Sequence, residues 1–366
     1  MTPPADDEAT REAEVLDRIA RFRARRGRFR DQVITLAHGA GGKASASLID
    51  GVFLEAFGAS PAAGGQPDAA RLVPAPGHEL AFTTDSFVVN PRRFPGGSIG
   101  HLAVHGTVND LAVEGARPRW LSASFVLEEG LEVDELRAVV ADMADAAQRS
   151  GVEIVTGDTK VVERGAADGL YITTAGVGEV VGDLRLGADR VRAGDVVLIS
   201  GSIAAHGMAV LLARGDLAID ADIASDTASV AGVVERVLEA APGTRWLRDP
   251  TRGGVATVCN ELAHDAGLGV VLDEEDLPVD PAVEGACDLL GIDPLYVANE
   301  GKVVAVVPRE QADDAVAAMQ SVPEGREATR IGEIVADPTD VVVLRTGFGS
   351  TRIVDMLVGD PLPRIC

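Results

Sequence analysis

Five acidic residues stand in short polar segments beside predicted strands and helices. The segments are TTDS, VNDL, TGDTK, RDPTRGG and ANEGK, and their acids are Asp85, Asp110, Asp158, Asp249 and Glu300. Carboxylates that leave neighbouring strands converge on one side of a sheet, and two or three such groups hold Mg²⁺ between a protein and a triphosphate. Each aspartate alone is more often the cap of a turn or helix. Five acids in similar surroundings favour a common site instead.

A glycine loop precedes these segments, directly after a predicted strand at residues 33–37. Its sequence HGAGGK lets backbone N–H groups approach phosphate oxygens, and its lysine adds a positive charge. The spacing matches neither the Walker A nor the GxGxxG pattern, so a solvated lysine is the alternative interpretation. The candidate phosphate-binding residues of the loop are His38, Gly39, Gly41, Gly42 and Lys43.

The chain ends in a cysteine, Cys366, which follows the sequence DPLPRI. Two prolines keep this segment extended, and a terminal residue can enter a pocket without moving any other part of the chain. A thiol there contributes little to stability but is well suited to carry a covalent group. The alternative is an accidental exposed thiol, which oxidises readily. Cys259 and Cys287 lie in apolar helical patterns and are predicted core residues.

Composition narrows the class of protein. The three cysteines form no CxxC or CxxH spacing, which argues against a disulfide framework or a zinc knuckle and fits a reducing cytoplasm. With 33 basic and 57 acidic residues the formal charge is −24, and only 4% of residues are aromatic. Such a chain is a poor nucleic-acid binder. No apolar run approaches the ~20 residues needed to cross a bilayer.

Strand-like and helical patterns alternate along the chain, which predicts an α/β or α+β fold with two domains. Residues 1–31 form a basic, arginine-rich extension that is either solvated or a docking arm for an acidic partner. A first domain is predicted at residues 32–185, with strands at 80–84, 120–127, 151–156 and 171–177 and helices at 99–115 and 132–150. A second domain covers residues 186–345. Residues 346–366, rich in glycine and proline, are predicted to be an unpacked, flexible tail.

Several blocks of the sequence are more specific than its general pattern. They are HGAGGK, TTDSFVVNP, FPGGSIGHLAVHGTVNDLAVEGARP, VTGDTKVV, RDPTRGGVATVCNE, GIDPLYVANEGK and the terminal PRIC. Together they resemble the HypE family of hydrogenase maturation proteins, over about residues 32–366. This family is part of the superfamily of aminoimidazole ribonucleotide synthetase and selenophosphate synthetase. The resemblance implies a two-domain PurM-like fold, a homodimer that pairs its N-terminal sheets, and ATP bound in clefts near the dimer interface.

The resemblance also implies an activity and partners. In this family the carbamoyltransferase HypF loads a carbamoyl group onto the C-terminal cysteine. The family member uses ATP to dehydrate this group to a thiocyanate, and it passes the cyanide to iron on the HypC–HypD scaffold complex. An amide oxygen is a poor leaving group, and phosphorylation by ATP makes it one that can depart as the C≡N bond forms.

Roles for individual residues follow from the same resemblance. Asp85, Asp110 and Asp249 match the superfamily's Mg²⁺ ligands. Lys160 is expected to meet the developing phosphate charge, and Glu300 to remove the amide protons. The amides of Asn109 and Asn299 are expected to orient the carbamoyl group, and Arg364 to guide the tail. The expected nucleotide site is completed by the glycine loop, Asp158 and Thr159.

Two other functions remain open at this stage. One is an ATP-dependent enzyme of the same superfamily that acts on a free small molecule such as selenide or a ribonucleotide amidine. The other is a carrier that accepts cyanide made elsewhere, which would need Cys366 but not the five acidic segments. His105, within AVHGTVND, is interpreted as a packing residue, with an active-site polar group as its alternative.

Overall fold

The structure is a computed structural model that describes residues 29–40, 42–58, 69–180, 182, 184–215, 217, 219, 221–357, 362, 364 and 365. Predictions for the arginine-rich segment before residue 29, for Gly41 and for Cys366 concern residues outside this described part. Across the described ranges, no helix combines the length and the apolar character that crossing a membrane requires.

The segment before the first sheet is helical, and the strand predicted at residues 33–37 is wrong. Val33 makes a single bridge to Glu132, and the chain then turns into the 3-10 helix Leu36–His38. The turn forms because the Thr35 N–H donates to the His38 ring at 2.9 Å. Helix α1 (Lys43–Leu48) follows and continues through the π-helical turn Ile49–Leu54 into Glu55–Phe57.

The first domain is built on a four-stranded sheet with the order β1-β6-β4-β5, in which only β4 and β5 are parallel. Its strands and those of a small hairpin are β1 (Glu79–Phe87), β2 (Arg93–Phe94), β3 (Gly97–Ser98), β4 (Ala116–Glu128), β5 (Glu153–Val162) and β6 (Leu170–Val180). Strand β5 is longer than predicted. Its second half carries the TGDTK segment, so Asp158 and Lys160 lie within a strand rather than in a loop after it.

Helices α2 (Ile99–Val113) and α3 (Val133–Ser150) pack on one face of this sheet, close to their predicted bounds. On that covered face Phe87, Leu121 and Phe125 are buried. Alternate residues point the other way, since side chains of a strand alternate between its two faces. We call that side the open face; it carries the exposed residues Phe82, Thr84, Ser86, Asp158, Lys160 and Thr173.

Helix α2 is apolar around almost its whole circumference, which is typical of a helix buried on all sides. It begins at Ser98, whose hydroxyl accepts from the Gly100 N–H at 3.2 Å. One side contacts the first sheet, and another contacts elements of the second domain. The polar residues that α2 carries near its end, Asn109 and Asp110, are therefore placed between the two domains.

The second domain contains a seven-stranded sheet with the order β13-β12-β9-β11-β7-β10-β8. Its strands are β7 (Val196–Ile199), β8 (Trp246–Arg248), β9 (Gly269–Asp273), β10 (Val304–Val307), β11 (Thr329–Val335), β12 (Val342–Arg345) and β13 (Thr351–Val354). Its helices are α4 (Ala205–Ala213), α5 (Ala231–Ala240), α6 (Gly254–Ala266), α7 (Pro281–Leu290) and α8 (Ala312–Gln320). Cys259 and Cys287 are fully buried, which confirms their assignment to the core.

The prediction that residues 346–366 are unpacked is wrong for part of that segment. Strand β13 pairs antiparallel with β12, and Val354 is fully buried. Further along, Leu362 and Ile365 are 4% and 2% exposed. The sequence did not predict this packing, because a four-residue edge strand and two isolated apolar residues give only a weak periodic signal among the glycines and prolines of this segment.

Candidate active site

Three of the predicted metal-binding carboxyl groups converge between the domains. Asp85 comes from β1, Asp110 from the end of α2, and Asp249 from the turn after β8. Burial, together with the nearby charges of Asp110 and Asp85, raises the pKa of Asp249 to about 7. Burial also raises the pKa of Asp110, against a hydrogen bond of 2.9 Å from the Thr83 hydroxyl. Carboxylates that disfavour one another's charge lie close together and favour a cation between them.

Two arginines that the sequence analysis did not assign accompany this cluster. Both flank Asp249 in the RDPTR segment: Arg252 lowers the pKa of Asp85, and Arg248 lowers those of Asp110 and Asp249, in each case against the larger effect of burial. The Arg248 Nε is buried and has no hydrogen-bond partner among the described residues. A buried guanidinium with a spare N–H suits an anionic ligand.

A cavity of about 500 Å³ opens beside the cluster. Its lining combines apolar side chains with polar and charged groups, which are Glu79, Thr83, Asp110, Glu114, Arg185 and Arg248. The apolar part is formed by Leu80, Phe82, Leu111, Val113, Leu184 and Leu186. This size and mixed lining fit a small ligand that has both apolar and charged groups.

The cluster does not form a complete metal site. Across the described ranges, no three His, Cys, Asp or Glu residues are arranged to hold a metal ion by themselves. Mg²⁺ commonly takes one or two carboxylates and completes its octahedron with water and phosphate oxygens. The aspartates therefore fit a metal that arrives with a triphosphate, not one held permanently by the protein.

The two asparagines expected to orient a substrate amide are occupied by backbone groups. The Asn109 Nδ2 donates to the carbonyls of Ala228 and Glu300 at 3.0 and 3.3 Å, and its Oδ1 accepts from the Val230 N–H at 2.8 Å. The Asn299 side chain accepts from the Ala204 N–H and donates to the Pro250 carbonyl, both at 2.8 Å. Each amide therefore fastens backbone segments around the site.

Glu300 is 3% exposed and lies on a loop held from several sides. Its N–H donates to Asp226 Oδ1 at 3.2 Å, and Asp226 Oδ2 lies 3.2 Å from the ammonium of Lys302. Gly301 leaves no room for a Cβ, because that atom would overlap the Asp226 carbonyl and contact Ala228. The Glu300 carboxyl is thus positioned by its backbone, next to the loop that carries Asp249.

Asp158, Thr159 and Lys160 lie elsewhere. Lys160 Nζ is 2.7 Å from Asp158 Oδ2, which lowers the pKa of Asp158, and both side chains are exposed on the open face. Asp85 points to the covered face, since its Oδ2 lies against Gly106 of α2. Strand β5 is also three strands away from β1. Within one chain, the structure does not unite Lys160 with the aspartate cluster.

The glycine loop lies beside β5 too. Gly39 packs so tightly against Val161 that a Cβ would come within 2.7 Å of its backbone nitrogen. His38 is buried and uses both ring nitrogens, with Nε2 2.9 Å from Asp31 Oδ2 and Nδ1 accepting from the Thr35 N–H. Lys43 is exposed at the start of α1. The loop therefore accompanies Lys160, not Asp85.

His105 has a packing role, which agrees with the first of its two interpretations. Its Nδ1 lies 3.0 Å from the Thr227 hydroxyl, so it links α2 to the segment before α5. Burial lowers its pKa to about 3, with a smaller effect from His101. The ring is therefore neutral at physiological pH, and its Nδ1 is engaged in the contact with Thr227.

Comparisons with known proteins decide the family. Residues 66–180 match the N-terminal domain of AIR synthase related proteins, and residues 192–345 match the C-terminal domain. The carbamoyl dehydratase HypE of Rhodobacter capsulatus is 54% identical over 341 residues, which cover 92% of this chain and 99% of the relative. The chain belongs to the HypE family of carbamoyl dehydratases. The predicted two-domain PurM-like fold is thereby confirmed.

Two solved HypE structures bear on the site. A crystal structure of HypE in complex with ATP has a TM-score of 0.85 and 47% identity, and the match covers 90% of this chain and 99% of that one. A HypE–HypF complex has a TM-score of 0.74 and 46% identity, with coverage of 77% and 91%. The family likeness thus extends across both domains.

Proposed function

We propose that this HypE family member dehydrates a carbamoyl group on the thiol of Cys366 to a thiocyanate, at the expense of ATP. The convergence of Asp85, Asp110 and Asp249 beside a cavity of about 500 Å³ carries this proposal. ATP binding is supported by the related HypE–ATP structure. The thiocyanate then donates cyanide to iron during nickel–iron hydrogenase maturation.

The reaction takes place in two balanced steps. The carbamoyl oxygen attacks the γ-phosphorus of ATP, ADP leaves, and loss of one of the two N–H protons to solvent gives an imidate phosphate. A base then removes the remaining N–H proton, the C≡N bond closes, and the C–O bond breaks to release phosphate. The sum is loss of one water from the thiocarbamate, with that water appearing in the hydrolysis of ATP.

The residues divide between these steps. Asp85, Asp110 and Asp249 hold Mg²⁺, which neutralises charge on the triphosphate when bound. Arg248 and Arg252, which flank Asp249 in the sequence, would offset the negative charge of bound phosphates. Glu300 is the base of the second step, since it lies in the loop that packs against the Asp249 turn.

Intact-mass measurement tests this function directly. The full-length protein carbamoylated at Cys366 is incubated with Mg-ATP, and its C-terminal peptide is expected to lose the mass of one water. ATP analogues that cannot transfer a phosphoryl group serve as the control. A carbamoyl mass that persists with Mg-ATP would contradict the dehydratase and favour the carrier of preformed cyanide.

We further propose that the protein is a homodimer joined through the open face. A sheet that packs helices on one side normally buries its other apolar surface as well. On this face Phe82 is 71% exposed and Leu80 of the same strand 49%. Pairing of two open faces would cover Phe82 and bring Asp158 and Lys160 to the interface. Lys160 and the glycine loop would then serve a site completed by the partner protomer.

Replacing Phe82 by aspartate is expected to shift the protein from dimer to monomer, because a buried charge at an interface is unfavourable. Light scattering measures the mass, and the mass assay for water loss measures activity. Activity is expected to fall as the dimer is lost, because Lys160 would reach its site through the dimer and because Phe82 also lines the cavity. The matched control is Phe348→Asp, at a fully exposed phenylalanine of the second domain. A monomeric wild type, or a dimeric Phe82→Asp variant, would remove the open face as the interface.

The partners follow from the proposed chemistry. HypF supplies the carbamoyl group, which the HypE–HypF complex of a relative supports. The HypC–HypD complex accepts the cyanide on iron, and the cytoplasm remains the predicted compartment. The acidic surface implied by a charge of −24 disfavours nucleic acid as a further partner.

A further inference from the structure

The end of the chain is docked across both domains. The Arg364 carbonyl accepts from the Asn90 N–H and from Arg214, each at 3.2 Å, and the Arg364 guanidinium pairs with Asp168. Arg364 has a φ of 59°, a left-handed conformation that L-residues adopt only when neighbouring groups enforce it. These contacts turn the chain so that Ile365 enters the protein.

A buried histidine holds the last described peptide. His206, at the start of α4, is fully buried, and its Nε2 lies 3.0 Å from the Ile365 carbonyl oxygen. Its Nδ1 lies 2.8 Å from the Ser225 hydroxyl, which itself accepts from the Thr227 N–H at 3.1 Å. A carbonyl can only accept, so Nε2 carries the proton and Nδ1 accepts from Ser225. The Ser225 hydroxyl can donate to Nδ1 while its oxygen accepts from Thr227, and it thereby supports the tautomer that binds the Ile365 carbonyl.

The histidine lies next to the Glu300 loop. Leu362 packs on Gly207, the residue after His206, and the Gly207 N–H donates to the Ala298 carbonyl at 3.1 Å. Ser225 precedes Asp226, whose carboxylate accepts from the Glu300 N–H. Two short paths thus connect Ile365 to Glu300, one through α4 and one through residues 225–226.

We propose that His206, fixed by Ser225, is the positioning residue that latches the docked tail and so delivers Cys366 to the Glu300 side of the site. Cys366 directly follows Ile365 in the sequence, so the bond to the Ile365 carbonyl fixes the point from which Cys366 reaches. Burial lowers the pKa of His206, in keeping with a neutral ring that donates from Nε2 alone. Docking of the tail by His206 does not depend on the proposed function; only its expected effect on the rate of dehydration rests on that function.

Alkylation of the full-length protein measures docking without any turnover. In the His206→Ala variant, iodoacetamide is expected to label Cys366 about five times faster than in wild type, since a buried hydrogen bond is lost. Ser225→Ala keeps the ring but loses its tautomer partner, and about a twofold increase is expected. The matched control is His264→Ala, at an exposed histidine of α6, which is expected to label like wild type.

The other two cysteines report whether a variant is folded. Cys259 and Cys287 are buried, and burial raises their pKa values to about 12 and about 11, so they resist alkylation in folded protein. If Cys259 and Cys287 become labelled in His206→Ala, that variant is not folded, and the labelling rate of Cys366 in Ser225→Ala then tests the latch. Wild-type labelling of Cys366 in the folded variants would overturn the latch. As a second readout, a tail that docks less often is expected to lower kcat for water loss and to leave the KM for ATP unchanged. If labelling of Cys366 became faster but kcat did not fall, the latch would stand and the proposed dehydration chemistry would be contradicted.

Discussion

Replacement of Asp249 by asparagine is expected to lower both ADP formation and thiocyanate formation by about 100-fold or more, since one carboxylate that would hold the Mg²⁺ of the metal nucleotide is lost. Asparagine has the same shape but no charge, so the buried turn after β8 keeps its packing. The measurement is single-turnover chemistry on carbamoylated protein at saturating Mg-ATP. Asp265→Asn, at an exposed position of α6, is the matched control and is expected to retain wild-type rates.

The same substitution is expected to stabilise the protein without nucleotide. The pKa of Asp249 is about 7 in the folded protein, against an ordinary value of 3.8. Below the ordinary value both states hold the proton; as pH rises towards 7 only the unfolded chain ionises, so wild-type stability falls across this window. The difference is on the order of 4 kcal/mol above pH 7. Thermal melts at pH 4 to 8 are therefore expected to separate wild type from Asp249→Asn progressively, and parallel curves would contradict the carboxylate cluster.

Mg-ATP should reverse this effect. A cation beside Asp249 favours its charged form, so binding near pH 7 releases part of a proton. Calorimetry in buffers of different ionisation enthalpy detects that proton, and the asparagine variant is expected to release less. The buried carboxylates thus lower the stability of the unliganded protein, and the same uncompensated negative charge favours binding of a metal nucleotide.

The sequence predicted the elements that carry strong patterns. Helix α3 has apolar residues on one side only and was found close to its predicted bounds. Helix α2 is apolar on nearly all sides, and it too was found close to its predicted bounds of 99–115. The acidic segments were found because aspartates beside glycine and threonine stand out from the surrounding apolar sequence, and three of them do converge.

Other features depended on contacts between distant segments. Asn109 and Asn299 look like ligands in a motif, and only the folded chain shows that backbone groups occupy their amides. Strand β5 continues through TGDTK because β4 lies beside it along its full length, and no local pattern indicates a parallel partner. The His206 contact with Ile365 joins residues 159 positions apart, so neither segment predicts it alone.

Replacement of Glu300 by glutamine is expected to separate the two chemical steps. Glutamine preserves the volume of the side chain, and the loop is held by backbone groups of Glu300 bonded to Asp226 and Asn109, which the substitution leaves in place. Phosphoryl transfer should therefore continue, while loss of the base lowers thiocyanate formation by about 100- to 1,000-fold. ADP without thiocyanate is the expected result, because water then returns the imidate phosphate to the carbamoyl form.

The ratio of thiocyanate to ADP in one turnover distinguishes Glu300 from every other residue assigned here. In Asp249→Asn both products fall together and the ratio is kept; in Glu300→Gln the ratio itself collapses. Glu261→Gln, at an exposed glutamate of α6, is the matched control. If Glu300→Gln instead lost both products equally, with ATP still bound, Glu300 would act in phosphoryl transfer or in positioning, and the proton would leave through another group. A poorly latched tail, by contrast, is expected to lower both products together, because the carbamoyl oxygen must reach the γ-phosphate before any ATP is spent.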